Sequence, residues 1–260
     1  MIQYPSIDPV AIAIGPLKVH WYGLMYLVGF AGVWFLGKKR VEKPWSPIKP
    51  EAMEDLVFYG AMGVILGGRI GYILFYNFQE FLNDPTILIK IWQGGMSFHG
   101  GMLGVFAAMW LFAKKQRCSM LQLTDVIAPL APIGLFAGRI GNFINAELWG
   151  HTTDVPWAMV FPGGGPLPRH PSQLYEAFLE GVLLFIIMWI YTSKQRPTMA
   201  PTGMALMLYG CFRFFVEFFR MPDAHLGYIF LNWVTMGQIL SLPMIIIGAG
   251  MIAFAYRKKS

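Results

Sequence analysis

Apolar runs of helix length alternate with short polar stretches along this chain. They fall at 20–37, 56–76, 97–113, 123–144, 174–192, 202–219 and 232–256. Each approaches the ~20 residues that cross a hydrocarbon core as a helix, and none alternates strictly as a half-buried strand does. The pattern predicts an all-α polytopic membrane protein with about seven transmembrane helices. Residues 1–19 contain Pro5, Pro9, Gly15 and Pro16 and no basic leader. They read as an ordered or interfacial arm, not as a cleavable signal peptide. The 260 residues form one membrane domain in this reading, with 151–172 as an outer loop.

The basic residues sort by loop. Lys38, Lys39, Arg40, Lys43 and Lys49 follow the first run, and Lys114, Lys115 and Arg117 the third; Lys194 and Arg196 follow the fifth, and Arg257, Lys258 and Lys259 the last. The alternate loops hold only Lys18, Lys90, Arg169 and Arg220. The positive-inside rule then predicts a periplasmic N-terminus, a cytoplasmic C-terminus and an odd number of spans. This topology accounts for the formal charge of +6 better than a nucleic-acid partner does, because no basic face is interleaved with aromatic stacking positions. Charged residues make up only 13% of the chain, against about 25% in ordinary soluble domains. Cys118 and Cys211 form no CxxC or metal-ligand spacing.

Glycines mark packing seams. Gly63, Gly67 and Gly71 recur at four-residue intervals in the second run, as do Gly134 and Gly138 in the fourth. Gly68-Arg69-Ile70-Gly71 recurs as Gly138-Arg139-Ile140-Gly141, a hint of an internal repeat of two arginine-bearing helices.

Polar groups inside the apolar runs carry the chemistry. A central Arg costs roughly 2.5–3.5 kcal/mol on insertion, so the sequence keeps one where it faces a polar cavity. The stretch from Ala137 to Gly150 contains Arg139, Asn142, Asn145 and Glu147, with glycines on both sides of the arginine. Tyr209, Arg213 and Glu217 share one helical face at four-residue spacing. Arg213 and Glu217 read either as a structural ion pair or as part of a site, and the five donors of Arg213 exceed what one carboxylate accepts. His99, in Ser97-Phe98-His99-Gly100-Gly101, is either a structural histidine or a base near neutral pH. Histidines 20, 99, 151, 170 and 225 are scattered singly, so no metal is expected. No Gly-x-Ser-x-Gly elbow appears, and Gly163-Gly164-Gly165 reads as a turn between prolines, not a phosphate loop. Arg169-His170-Pro171-Ser172-Gln173-Leu174-Tyr175-Glu176 leads into the fifth run. There Ser172 is expected to cap the helix and Glu176 to favour its dipole, which leaves Arg169 and His170 unexplained. Tyr22, in His20-Trp21-Tyr22-Gly23, reads as an interfacial anchor or a pocket residue.

Together these stretches resemble the prolipoprotein diacylglyceryl transferases of the bacterial inner membrane. The matching pieces are His20 to Gly23, Gly67 to Tyr72, Gly95 to Gly101, Gly138 to Gly150, Arg169 to Glu176 and Tyr209 to Asp223. The resemblance runs from about residue 15 to the end of the last run and is weakest over 151–168. It implies transfer of the diacylglyceryl group of phosphatidylglycerol to the thiol of the lipobox cysteine in prolipoprotein signal peptides. A thioether forms, glycerol phosphate leaves, and no cofactor is needed. It also implies a site in which Arg139 and Arg213 grip the phosphate and Asn142 and Glu147 set the glycerol geometry. His99 is the candidate base or phosphate partner, and Tyr22, Arg69, Gly150, His170, Tyr209 and Glu217 complete the pocket. A polytopic lipid or solute carrier, using the same charged cavity without chemistry, is the alternative from another class. Three intramembrane arginines argue against a purely structural scaffold.

Overall fold

The computed structural model describes residues 2–15, 17–90, 94–222, 227–231 and 233–257. Pro16, Asp223, His225, Lys258 and Lys259, all named above, lie outside the described residues. The described residues are mostly helical, with four short strands among them that an all-helical reading omits. In order they are β1 (Ile2–Gln3), β2 (Val10–Ile14), β3 (Leu17–His20), α1 (Trp21–Val41), α2 (Ala52–Tyr76), α3 (Phe78–Asn83), α4 (Phe98–Lys115), α5 (Met120–Ile127), α6 (Ala131–Ile144), β4 (Met159–Val160), α7 (Ser172–Glu176), α8 (Leu184–Tyr191), α9 (Ala200–Val216) and α10 (Met236–Arg257). A π-helical stretch, Ala177–Leu183, joins α7 to α8.

The chain divides into two compact units, Gly37–Leu123 and the remainder, Met1–Leu36 with Thr124–Ser260. In the first unit α2 packs on α4 along the predicted glycine seam. A Cβ on Gly67 would lie 2.7 Å from the Gly104 Cα, and one on Gly71 2.6 Å from the Gly100 Cα. Only glycine permits that approach, and close backbone packing is what holds helices together where lipid is as apolar as leucine. Ser97 caps α4 by accepting from Gly100 N at 3.2 Å. Arg69 is buried, and its donors go to carbonyls: Nε to Ile87 O at 3.1 Å, Nη1 to Gly94 O and to Gly95 O at 3.1 Å, Nη2 to Ile87 O and to Lys90 O at 3.2 Å. That uses all five N–H groups on the loop that leads to α4.

In the other unit β2 and β3 form an antiparallel hairpin ahead of α1, and β1 pairs in parallel with β4. Tyr4 Oη donates to Phe143 O and Ile144 O, both at 2.8 Å, and so covers carbonyls left open at the end of α6. The fourth apolar run is broken: α5 and α6 meet at 52°. Pro129 and Pro132 lie at the break, where a missing N–H and a ring clash forbid a continuous helix. A Cβ added at either predicted glycine of α6, Gly134 or Gly138, would meet no atom within 4 Å among the described residues; the close approach there belongs to Gly29 of α1, whose added Cβ would lie 3.6 Å from the Gly134 Cα. The second stripe is therefore not a continuous seam.

Among the described residues, three helical segments are long and apolar enough to cross a membrane: Ala52–Tyr76, Ser172–Tyr191 and Met236–Arg257. The bent pair Met120–Ile127 and Ala131–Ile144 makes a fourth if taken as one span. α9 is apolar but only 17 residues long. α1 has Lys38, Lys39 and Arg40 in its last turn, which shortens its uncharged length.

α9 takes its N-terminal cap from another helix. The Asp125 carboxylate accepts from Met199 N at 2.7 Å, Thr202 N at 2.9 Å and Thr202 Oγ1 at 2.5 Å. Two of the orphan donors of a helix start are satisfied this way. Asp125→Ala should therefore lower stability by about 1–2 kcal/mol. The check is a thermal melt of the purified protein in detergent; a variant melting at the parent temperature would show that the cap contributes nothing.

Candidate active site

The polar residues of the larger unit converge on one carboxylate. Glu176, the last residue of α7, is fully buried, and its Oε2 lies 2.7 Å from Arg139 Nη2 and 2.6 Å from Arg213 Nη1. Arg139 comes from α6 and Arg213 from α9, so one oxygen ties three helices together. Arg213 Nη2 also donates to Glu217 Oε1, the predicted i,i+4 pair. Glu217 Oε1 accepts in addition from Arg220 Nη1 at 3.3 Å, and its Oε2 accepts from Thr235 Oγ1. Fully buried Glu180, in the π-helical stretch, lies 3.7 Å from the same two arginine nitrogens. Three arginines thus face three glutamates in a low-dielectric environment. Removing one partner of such a pair leaves an uncompensated charge, at about 3–5 kcal/mol.

The arginines are anchored without being used up. Arg139 Nη1 makes a long contact to Asn142 Oδ1 at 3.5 Å, and its side chain keeps 19% of its surface exposed; that of Arg213 keeps 12%. Each has five donors, so both guanidiniums can accept a further anion while Glu176 holds them.

The loop after α6 is backbone-strained. Ala146 (φ 54°) and Leu148 (φ 59°) are left-handed without being glycine, a conformation concentrated at functional sites. Neighbours hold it there: Gln173 Nε2 donates to Glu147 O at 2.5 Å and Ser172 Oγ to Leu148 O at 2.9 Å. Glu147 folds back on the helix end, its Oε1 accepting from Asn142 Nδ2 at 2.8 Å. Gly150 donates to His170 O at 2.9 Å and is wedged against the Phe219 carbonyl and His170, where any side chain would collide.

A model of one family, described as prolipoprotein diacylglyceryl transferase, matches residues 9–254. The chain belongs to this family. Its curated relatives include the phosphatidylglycerol–prolipoprotein diacylglyceryl transferases of Pseudomonas paraeruginosa and Azotobacter vinelandii. The first is 59% identical over 99% of this chain and 97% of its own length. The second is 58% identical over 100% of this chain and 98% of its own. The homonymous protein of Methylococcus capsulatus is 56% identical over the full length of both.

The structure gathers several of the family-implied residues. Arg139, Asn142, Glu147, Arg213 and Glu217 form the connected group just described. Tyr22 lies beside it, its ring against the Cα of Gly141, where a Cβ would come within 2.7 Å. Of the two glycines flanking Arg139 only Gly138 therefore leaves open space. Tyr209 packs in the apolar cluster of Ala128, Leu184 and Met188, four residues before Arg213. His170 sits in an aromatic group apart from the arginines: its Nδ1 is 3.0 Å from Tyr175 Oη, which accepts from Trp157 Nε1 at 2.6 Å, and its ring stacks edge-on to Phe219. Burial, and then repulsion from His151, lowers its pKa. Arg169 pins the glycine turn through Gly164 O at 2.7 Å and covers the Trp149 ring. His99 and Arg69 belong to the other unit. His99 is exposed at the start of α4, its ring edge-on to Phe98, and Arg69 is taken up by carbonyls as described.

Two sequence readings need correction. Ser172 does not cap α7, because its hydroxyl is turned onto the strained loop. Glu176 is not a first-turn acid suited to the helix dipole; it ends α7 and is the buried centre of the cluster. Glu180, Gln173, Thr235 and Gly237 were not singled out from sequence. The signal for the first was present, since Glu176 and Glu180 are an i,i+4 pair of acids inside an apolar run. Thr235 and Gly237 carry no charge and offered none.

Gly237 stands where the Glu217 carboxylate rests; a methyl there would lie 2.6–2.7 Å from its two oxygens. Gly237→Ala should displace Glu217 and destabilise by about 1–3 kcal/mol, as overpacking does. Gly250→Ala on the same helix meets open space and should be neutral or slightly stabilising. Paired thermal melts test this, and equal melting temperatures would show that Glu217 yields freely.

Proposed function

We propose that this protein transfers the diacylglyceryl group of phosphatidylglycerol to the lipobox cysteine thiol of prolipoproteins, releasing glycerol phosphate. The observation that carries the reading is the pair of arginines held on Glu176 with donors to spare. A guanidinium fork matches two oxygens of a phosphodiester, and in a dry site it stabilises charge that develops there. The cysteine thiolate attacks the glyceryl carbon that bears the phosphate. The C–S bond forms, the C–O bond breaks, and its electron pair stays on the departing phosphate. The reaction needs a base, since a thiolate and not a thiol is the nucleophile, and the family resemblance makes His99 the candidate for base or phosphate partner. Asn142 and Glu147 are assigned to the glycerol, with Tyr22, Tyr209, His170 and Gly150 around it. No metal or nucleotide enters this scheme.

The chain is read as a multi-pass protein of the bacterial inner membrane with seven spans, a periplasmic N-terminus and a cytoplasmic C-terminus, and one functional domain. The thirteen-to-four distribution of basic loop residues supports the orientation. Reporter fusions after residues 45, 116, 195 and 258 should read cytoplasmic, and one near 163 periplasmic. A cytoplasmic reading at 163 would overturn the orientation and place His99 on the wrong side for a secreted thiol.

The activity test is purified protein with phosphatidylglycerol and a lipobox peptide, followed by mass. The peptide should gain a diacylglyceryl thioether and glycerol phosphate should appear; lipid movement without either product would favour the carrier. Arg139→Lys keeps the charge but loses the planar fork. It should fold and lose about a hundredfold in rate, roughly 3 kcal/mol of transition-state stabilisation. Added phosphatidylglycerol should not restore the rate. A fully active lysine variant would show that Arg139 supplies only charge or packing.

A further inference from the structure

Glu180 is the one carboxylate of the cluster that stands off from its arginines. It is fully buried, and neither of its oxygens accepts a hydrogen bond among the described residues. It lies 3.7 Å from Arg139 Nη2 and Arg213 Nη1, the two nitrogens that Glu176 Oε2 holds at 2.7 and 2.6 Å. A carboxylate kept only to neutralise arginines gains most by closing to contact, as Glu176 and Glu217 do. One held farther off, without hydrogen bonds in a low dielectric, is costly to maintain. It also lies in the π-helical stretch, a rare geometry that recurs at functional sites.

The reaction gives that charge a use. The headgroup enters as a phosphodiester carrying one negative charge. When the C–O bond breaks and its electron pair stays on oxygen, the headgroup becomes a phosphomonoester carrying two. The incoming thiolate charge balances the sum, and the thiol proton has gone to the base. Two arginines alone would hold the doubly charged product more tightly than the substrate and stall the next cycle. We propose that Glu180 is a positioning residue for product release: through Arg139 and Arg213 it disfavours the second negative charge and makes the clamp select phosphodiester over phosphomonoester. This rests on the placement of the phosphate at Arg139 and Arg213.

The test uses the full chain in detergent with phosphatidylglycerol and a lipobox peptide, with two inhibitors. Glycerol phosphate stands for the product, and glycerophosphoglycerol, a diester, for the substrate headgroup. The parent protein should bind glycerol phosphate no more tightly than glycerophosphoglycerol despite its extra charge. In Glu180→Gln, glycerol phosphate should inhibit about tenfold more strongly, the size expected of one charge removed at close range in a partly shielded site. Inhibition by the diester should change much less. Steady-state kcat and KM for phosphatidylglycerol should fall together, leaving kcat/KM little changed, and a burst of about one thioether per enzyme should precede the slow phase. Glu180→Asp, which keeps the charge, should restore the parent inhibition pattern.

Unchanged inhibition constants in Glu180→Gln overturn the proposal. So does a uniform loss of rate with a lowered melting temperature and no burst, which marks a structural residue. If Glu180→Gln does not fold, the parent protein still decides, because tenfold tighter binding of glycerol phosphate than of the diester overturns it. Arg139→Lys separates the two layers. Glycerol phosphate inhibition unmoved in that variant refutes the phosphate placement itself, whereas inhibition weakened there but unmoved in Glu180→Gln refutes only the role of Glu180.

Discussion

Two guanidiniums do not approach one another in a water-poor interior unless something negative lies between them. Here that something is a single oxygen of Glu176, within 2.7 Å of both. Like charges a few ångströms apart repel by several kcal/mol at an effective dielectric near 20, so the geometry of the arginine pair rests on this carboxylate. Three helices bring the groups in, and each helix is secured elsewhere. α9 is capped by Asp125, α6 is tied at its end by Tyr4, and α7 is laced to the strained loop through Ser172 and Gln173. The unit works as a frame that keeps opposed charges in register.

That frame explains how a buried ionic cluster can serve binding. A fully satisfied ion-pair network is closed to ligands, and a loose one would not survive burial. Glu176 engages both arginines from one side, Glu217 takes Arg213 from another, and several donors of each fork stay uncommitted among the described residues. An anionic headgroup then adds to the network without dismantling it. The strained loop contributes in a similar way: Ala146 and Leu148 are held in their left-handed backbone by contacts that also bring Glu147 onto Asn142. Because that order exists before any ligand arrives, little is lost in arranging it on binding.

The residues legible in the sequence are those whose charge is conspicuous. Arg139, Arg213 and Glu217 stand out because an apolar run makes any charge expensive, whereas the break between α5 and α6 went unread inside the run 123–144 although Pro129 lies at it. Glu176 is just as charged, but its place near a helix start offered a cheaper explanation, and the capping argument absorbed it. Arg69 and Arg139 occupy the same tetrapeptide and do different work. One is sealed onto loop carbonyls and the other onto a carboxylate, a difference set by the groups lying across from each side chain. The hairpin of the N-terminal arm was hidden by prolines and glycine, which signal irregularity as readily as a turn. Thr235 and Gly237 were invisible because neither carries a charge.

The π-helical stretch has a consequence for insertion and deletion. A π turn accommodates about one more residue than an α turn, so the segment Ala177–Leu183 amounts to an extra residue threaded into a helix without displacing α8. Loss of one residue there lets the segment relax to the α form and leaves α8 in register, with Leu184 and Met188 still in their buried cluster. What changes is the bulge itself, so Glu180, which sits in it, is re-aimed relative to Glu176 and the two arginines. A gap of one residue here is therefore a change to the charged cluster and not to the helices around it.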